Sequence, residues 1–278
     1  MKVNLFDKAL VKEFLAFLST VEFILALVLI FLDIPQSARI VLGGIFIGIL
    51  VCIYLLLWRR ASKLESIQVH INNSVVNVEI GDIFDYKELK VIAFNEYFDT
   101  IVDDKIISNN SLNGIFINSK IDDISTLDSA IANDTVLQQK VVEENKSRQK
   151  GKTTRYSLGA CYLHDNEYVL TAFSRFSIDN RAFLTMGDFL QFLVAFWSEI
   201  DGLKSGRSVV IPLLGSRMVR FRGYENITDQ ELLEMLVWSF KISRVKFAYP
   251  FSVTFVIHKD HKHNIDLYKI KRSEKYGI

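Results

Sequence analysis

Two long apolar runs near the start of the chain constrain what it can fold into more than any other feature. From Phe14 to Ile34 almost every residue is Leu, Ile, Val, Phe or Ala, and Ile40 to Trp58 repeats the pattern after a short gap. A helix of about 20 such residues crosses roughly 30 Å of hydrocarbon, so each run predicts a membrane span. Asp33, Pro35, Gln36 and Ser37 leave a connection so short that the spans must form an antiparallel hairpin. Lys2, Lys8 and Lys12 precede the first span, Arg59, Arg60 and Lys63 follow the second, and the turn holds only Arg39. Basic residues flanking a span stay on the cytoplasmic side, so both ends are expected to face the cytoplasm.

Half of the 278 residues are apolar, and that excess is concentrated in the first sixty positions. Subtracting the hairpin leaves enough chain for about one soluble domain. The expected division is therefore 1–62 as the helical hairpin and 63–278 as a cytoplasmic domain. A formal charge of +1 supplies no field that would gather nucleic acid, and none is expected as a partner. Cys52 lies in an apolar run and Cys161 in a predicted strand, a placement that suits a reducing compartment and no disulfide.

Glu22 stands in the middle of the first span, where a carboxylate facing lipid costs at least about 2 to 3 kcal/mol. It has two readings: a residue of a pore or an assembly contact, or a protonated acid making one local hydrogen bond. Gly44 and Gly48, with Gly43 beside them, form a small-xxx-small pair that lets helix backbones approach closely, which points to assembly into a homo-oligomer.

Beyond Lys63 the period changes. Ile67 to Ile71 and Val75 to Ile80 alternate apolar and polar residues around Asn72, Asn73 and Ser74 and predict a β-hairpin. Further strands are predicted at Lys90–Asn95, Ser157–Leu163, Tyr168–Ser174, Ser208–Leu213 and Phe251–His258. Thr228 and Glu231 make a capping box ahead of an apolar stripe, predicting a helix over Asp229–Ser243, and another is predicted from Gly187 to Ile200 after Thr185. Strands alternating with helices predict an α/β sandwich with a mainly parallel sheet, whose ligands bind at the carboxyl ends of the strands. The charged segment Gln138–Lys152 reads as an exposed helix end and a mobile loop with no chemistry.

Two motifs mislead. Gly151-Lys152-Thr153 looks like the end of a phosphate-binding P-loop, but Lys146 stands where its first glycine is required and no strand leads in. His258, His261 and His263 alternate with Lys259 and Lys262, which would repel a cation, so they read as a solvated strand end and no metal is expected.

What remains is a series of strand-to-loop junctions: Gly81-Asp82-Ile83, Asn95, Gly114-Ile115-Phe116, Ser157-Leu158-Gly159 and Gly215-Ser216-Arg217. In this order, from about His70 to His258, they resemble the macro domain family, which binds ADP-ribose and related nucleotides. The resemblance implies a three-layer α/β/α sandwich with a mixed sheet. It implies that Asp82, next to Ile83, accepts from the adenine amino group and that Asn95 lies near the distal ribose. It makes Gly114 to Phe116 the end of a first phosphate loop, and Gly215, Ser216 and Arg217 a second whose backbone N–H groups cradle the diphosphate. The first loop holds one glycine where the family has several, and Arg217 replaces a glycine. Arg217, Arg220 and Arg222 either pair with a phosphate or carboxylate or are ordinary surface charge.

A two-helix anchor joined to such a domain is similar in arrangement to the membrane effectors of type II Thoeris anti-phage defence. That resemblance implies a membrane protein that is not an enzyme and needs no cofactor. It would sense an ADP-ribose derivative, histidine-conjugated and made from NAD by a TIR-domain enzyme, and then oligomerise in the inner membrane and damage it. The alternatives are a tethered ADP-ribosyl hydrolase, a passive ADP-ribose reader and a membrane scaffold that meets no nucleotide.

Overall fold

In the computed structural model, residues 3–31, 35–177, 179–216 and 219–276 are described. The chain divides into two compact units, 1–67 with 266–277 and 68–265. The sequence places that second boundary elsewhere, because it assigns everything after residue 62 to one domain.

The first unit begins with α1 (Lys8–Leu29) and α2 (Gln36–Ser62). Asp7 caps α1 by accepting from the amides of Ala9 and Leu10, at 2.9 and 3.2 Å. The two helices are antiparallel. Phe14 meets Tyr54 edge to face at 5.1 Å, Trp58 Nε1 donates to Val3 O at 2.8 Å, and the Tyr54 hydroxyl donates to Leu5 O. Away from that junction the side chains are bare: Ile40, Val41, Ile47 and Leu56 are 84, 61, 62 and 66% exposed. A continuous apolar surface of this size is rare in water and marks a face that meets lipid or another protein surface. Among the described residues α2 is the one helix long and apolar enough to span a membrane; α1 ends at Leu29, and the predicted first span ran on through residues 32–34, which lie outside the described residues.

The second unit runs, in chain order, β1 (Ser66–Ile71), β2 (Ser74–Ile80), β3 (Leu89–Asn95), α3 (Leu112–Lys120), α4 (Ile124–Asn133), α5 (Thr135–Gln138), β4 (Val141–Glu144), β5 (Thr154–Tyr156), β6 (Cys161–His164), β7 (Tyr168–Phe176), β8 (Ala182–Thr185), α6 (Met186–Leu203), β9 (Val209–Pro212), β10 (Arg220–Arg222), α7 (Asp229–Ser243) and β11 (Ser252–Ile257). Asn72 and Asn73, at φ 53° and 61°, form the tight turn between β1 and β2; positive φ at both positions favours Asn. Capping boxes start α6 at Thr185 with Asp188 and α7 at Thr228 with Glu231.

The main sheet is mixed, in the order β1-β2-β11-β9-β3-β7-β8-β10, with β6 alongside β7. From β2 to β7 every neighbouring pair is parallel, and β7 turns antiparallel to β6 and β8. Alternation along the strands fills both faces. Leu170 and Ala172 of β7 face a core with Phe116 and Ile117 of α3, Leu127 and Ile131 of α4, and Leu137 of α5. Phe173, one residue on, packs edge to face on Phe189 and Phe192 of α6, and the aromatic contacts continue through Phe196 and Trp197 to Phe240 of α7 and Phe255 of β11. The result is a three-layer α/β/α sandwich. β4 and β5 form a separate antiparallel ribbon.

The chain ends with α8 (Leu267–Tyr276), which belongs to the first unit. Arg272 pairs with Asp7 at 2.6 Å, and the Tyr268 hydroxyl donates to Glu13. Tyr268 joins Leu57 and Trp58 around Val3, Leu10 and Ala61.

Gly159 shows how tightly α6 sits on the sheet. Its φ is +87°, and an added Cβ would stand 2.6 Å from the Ala195 Cβ and 2.9 Å from the Phe196 amide. Gly159→Ala should therefore lower the unfolding free energy by about 2 to 4 kcal/mol, measurable as a reduced urea midpoint at unchanged slope.

Candidate functional site

Because the strands from β2 to β7 run parallel, their carboxyl ends open on one edge of the sheet, where loops surround a cleft of about 1020 Å³. Across that edge the lining passes from Gly81–Ile83 after β2, through Val256 and His258 at the end of β11 and Leu213–Ser216 after β9, to Asn95 ending β3. It finishes at Ser174, Phe176 and Asn180 after β7. Four strand steps of about 4.8 Å give a trough roughly 19 Å long.

At one end, Asp82 caps a single 3-10 turn, Ile83–Asp85, by accepting from the Phe84 amide through one oxygen at 3.0 Å. Among the described residues nothing donates to its other oxygen. That oxygen can accept from an exocyclic amine.

In the middle, the loop after β9 is tethered at its start by the Leu213 amide, which donates to Val256 O at 3.1 Å, and by the Ser216 hydroxyl, which donates to Leu213 O at 3.3 Å. Gly215 has φ +89°, and a Cβ there would stand 3.1 Å from the Phe221 ring. Among the described residues none accepts from the amides of Leu214 or Gly215. Successive amides at a left-handed turn form an anion cradle.

Opposite lies the loop that precedes α3. Asp103 accepts from the amides of Lys105 and Ile106 at 3.0 and 2.8 Å, and Asp104 accepts from the Asn109 amide at 2.8 Å. Those N–H groups are committed to the protein's own carboxylates. The Lys150 ammonium on Asp103, with the Ile106 amide, brings that acid down to about 2.

Beyond the floor of the cleft is a buried polar network. Asp99 has no exposed side-chain surface, and it receives Asn95 Nδ2 at 2.9 Å, the Lys152 amide at 2.8 Å and both terminal nitrogens of Arg148, at 3.0 and 2.5 Å. Arg148, itself 4% exposed, also donates to Lys152 O at 2.7 Å and to Asn180 Oδ1 at 2.8 and 3.2 Å, and lies over the Tyr97 ring at 4.0 Å. Alongside, burial holds the Glu96 carboxyl above the ordinary range, although Phe176 donates an amide to it and Arg175 and Arg155 stand nearby.

With this geometry described, the relationships to known proteins are direct. Residues 76–258 match the family model described as Thoeris protein ThsA, Macro domain. The chain is 37% identical over 277 residues to Thoeris protein ThsA of Bacillus amyloliquefaciens (strain Y2), an alignment that covers 98% of this chain and 92% of that one. The chain belongs to the Thoeris ThsA family and carries its macro domain. Among solved structures it is similar to a macrodomain of Oceanobacillus iheyensis with MES bound, at 12% identity and TM-score 0.48, covering 76% of this chain and 98% of that one. A mutant of the same macrodomain has 13% identity and TM-score 0.48, over 77% and 97%.

Within the macro domain, the cleft brings together Asp82, Ile83, Asn95, Ile115, Gly215 and Ser216 of the residues the sequence singles out. Arg217 lies outside the described residues. Gly114 and Phe116 do not line the cleft. Gly114 is in the first turn of α3, where a Cβ would fall 2.1 Å from Ser108 O, and Phe116 is fully buried in the core against Phe94 and Tyr168. The loop that meets the cleft lies just before them, at Asp104–Ser111. Arg220 lines the cleft, whereas Arg222 stacks on the Phe183 ring at 3.5 Å.

Two segments given no chemistry in the sequence acquire roles. Gln138–Lys152 contains β4 and the buried Arg148, and Gly151 is needed for close approach: at φ +94°, its Cβ would stand 2.6 Å from Asp99 Oδ1. His261 is buried rather than solvated, its Nδ1 on Asp229 Oδ2 at 2.7 Å, while His258 and His263 are exposed. A sequence reading has no signal for either, since a charged run and a histidine are ordinary surface features until a partner from another element arrives. Asp99→Asn leaves the Arg148 guanidinium buried against a neutral amide. The full chain in detergent should lose about 3 kcal/mol of unfolding free energy by urea titration, whereas Asp122→Asn on the exposed surface should not.

Proposed function

We propose that this protein is a membrane-bound effector whose macro unit senses an ADP-ribose-derived signal, with histidine-conjugated ADP-ribose from a TIR-domain enzyme as the ligand. The observation that carries the reading is the continuous trough from Asp82 to Asn180, with a cradle of amides midway. An adenine at Asp82 and a diphosphate over Gly215 would leave the distal ribose and its attached group at Asn180. The mixed charges at that end, Lys150 and Arg181 with Asp104 and Asp179, suit an appended group carrying both signs.

The output is the helical hairpin, multi-pass in the inner membrane with the macro unit in the cytoplasm. The lipid-facing surface of α2 supports this. So does its glycine face: a Cβ at Gly44 or Gly48 would meet nothing within 4 Å, and Glu22 is exposed, so neither is used for packing within one chain. A second copy fits there, and ligand binding that favours the assembled state would drive oligomerisation and membrane damage. Gly48→Leu should leave ligand affinity unchanged while lowering ligand-triggered dye release from anionic vesicles at least about tenfold; equal release would remove the glycine face from the mechanism.

Sensing is favoured over hydrolysis because Asn95, which would have to accept a hydrogen bond from an attacking water, has its side-chain oxygen already committed. Its Nδ2 donates to Asp99, and its Oδ1 accepts from the amides of Tyr97 and Asp99 at 3.0 and 3.3 Å. No cofactor is required by this reading. Asp82→Ala should weaken ADP-ribose binding about 5- to 150-fold in calorimetry, the equivalent of roughly 1 to 3 kcal/mol for one charge-assisted bond. Release of free ADP-ribose from an ADP-ribosylated substrate would instead establish the hydrolase.

A further inference from the structure

Taking the nucleotide reading of the cleft as its basis, the geometry points to a specificity element that neither the sequence pattern nor the family resemblance supplies. We propose that the segment 145–153, between β4 and β5, is a strap over the far end of the cleft. Lys150 on it, together with Asn180, selects what the ligand carries beyond its diphosphate.

Three observations converge on this. The strap is closed on itself by the Asn145 amide donating to Thr153 O at 2.9 Å, and it is riveted inward by Arg148 on the fully buried Asp99. Arg148 takes Asn180 Oδ1 through two nitrogens, which fixes which way the Asn180 amide points. Among the described residues none accepts from its Nδ2, so a donor remains on the lining of the cleft. Lys150, with its side chain half exposed, reaches across to Asp103 on the opposite loop, and both Lys150 and the neighbouring Asp104 line the cleft. One buried ion pair therefore sets the height of the strap, the orientation of one donor and the reach of a second.

The ligand chemistry follows from those groups. An ammonium and an amide NH₂ are donors, and they suit hydroxyl oxygens of a ribose or a carboxylate attached to it. Adenine at Asp82 and the diphosphate midway at Gly215 lie outside its reach and are not selected here. Arg148 and Asp99 act as positioning residues, because they meet the protein and not the ligand.

The test uses the full chain in detergent, with ADP-ribose and ADP titrated separately. ADP lacks everything beyond the diphosphate. Lys150→Gln and Asn180→Ala should each weaken ADP-ribose about 5- to 10-fold while ADP affinity changes less than about twofold, with the thermal midpoint of the empty protein unchanged. Arg148→Lys keeps the charge on Asp99 but loses the fork, and should show the same selective loss. Equal weakening of both nucleotides, or no weakening of ADP-ribose in Lys150→Gln and Asn180→Ala, overturns the strap while leaving the sensing function intact. Wild-type protein that binds neither nucleotide overturns the reading of the cleft and this inference with it.

Discussion

Asp99 is a carboxylate without solvent, and much of the macro unit is arranged to satisfy it. A buried charge of this kind is costly unless fully paired, and here a guanidinium, a side-chain amide and a backbone N–H converge on it. The partners come from two parts of the chain: Asn95 from the end of β3, Arg148 and Lys152 from the segment between β4 and β5. Satisfying one acid therefore draws the cleft floor and one wall into register. It also accounts for one backbone conformation that is otherwise unfavourable, Phe98 at φ 49° directly before Asp99, and for a glycine at 151, where φ is 94° and the chain passes against the acid.

The architecture around this point is simple by comparison. Parallel strands place their carboxyl ends together, and the aromatic side chains of α6 hold one face of the sheet while α3, α4 and α5 close the other. Such a scaffold fixes where loops emerge but not what they hold. The loop after β9 keeps amides free of protein acceptors, whereas the loop before α3 gives its own to Asp103 and Asp104, so two loops in comparable places have different capacity for an anion.

How much of this was legible in the sequence depended on how local the cause was. The helix over Asp229–Ser243 was legible to the residue, because its capping box and apolar stripe are contained in the consecutive positions from Thr228 to Ser243. The strands β1 and β2 were legible from alternating apolar and polar residues about a turn, and β3, β7, β9 and β11 from apolar runs. The predicted strand at Ser157–Leu163 instead splits: Leu158 and Ala160 are buried in a turn around Gly159, and the strands β5 and β6 lie on either side. The helices α3, α4 and α5 went unseen because each is ten residues or fewer, too short for a period to rise above its caps. At the site, Asp82 and Gly215 were singled out by the family resemblance, and both line the cleft. Arg148, Asn180 and His261 were not legible, since their partners lie 32 to 49 positions away.

The return of α8 to the helices at the start of the chain has a topological meaning. Because residues 266–277 belong with residues 1–67, the macro unit is an insertion within the helical one, joined to it by two covalent strands of chain rather than one. A body hung from a single linker can swivel without consequence for its anchor. One inserted between two linkers is tied to the helical unit at both ends, and the first and last helices of that unit meet in the pairing of Arg272 with Asp7 at the cap of α1.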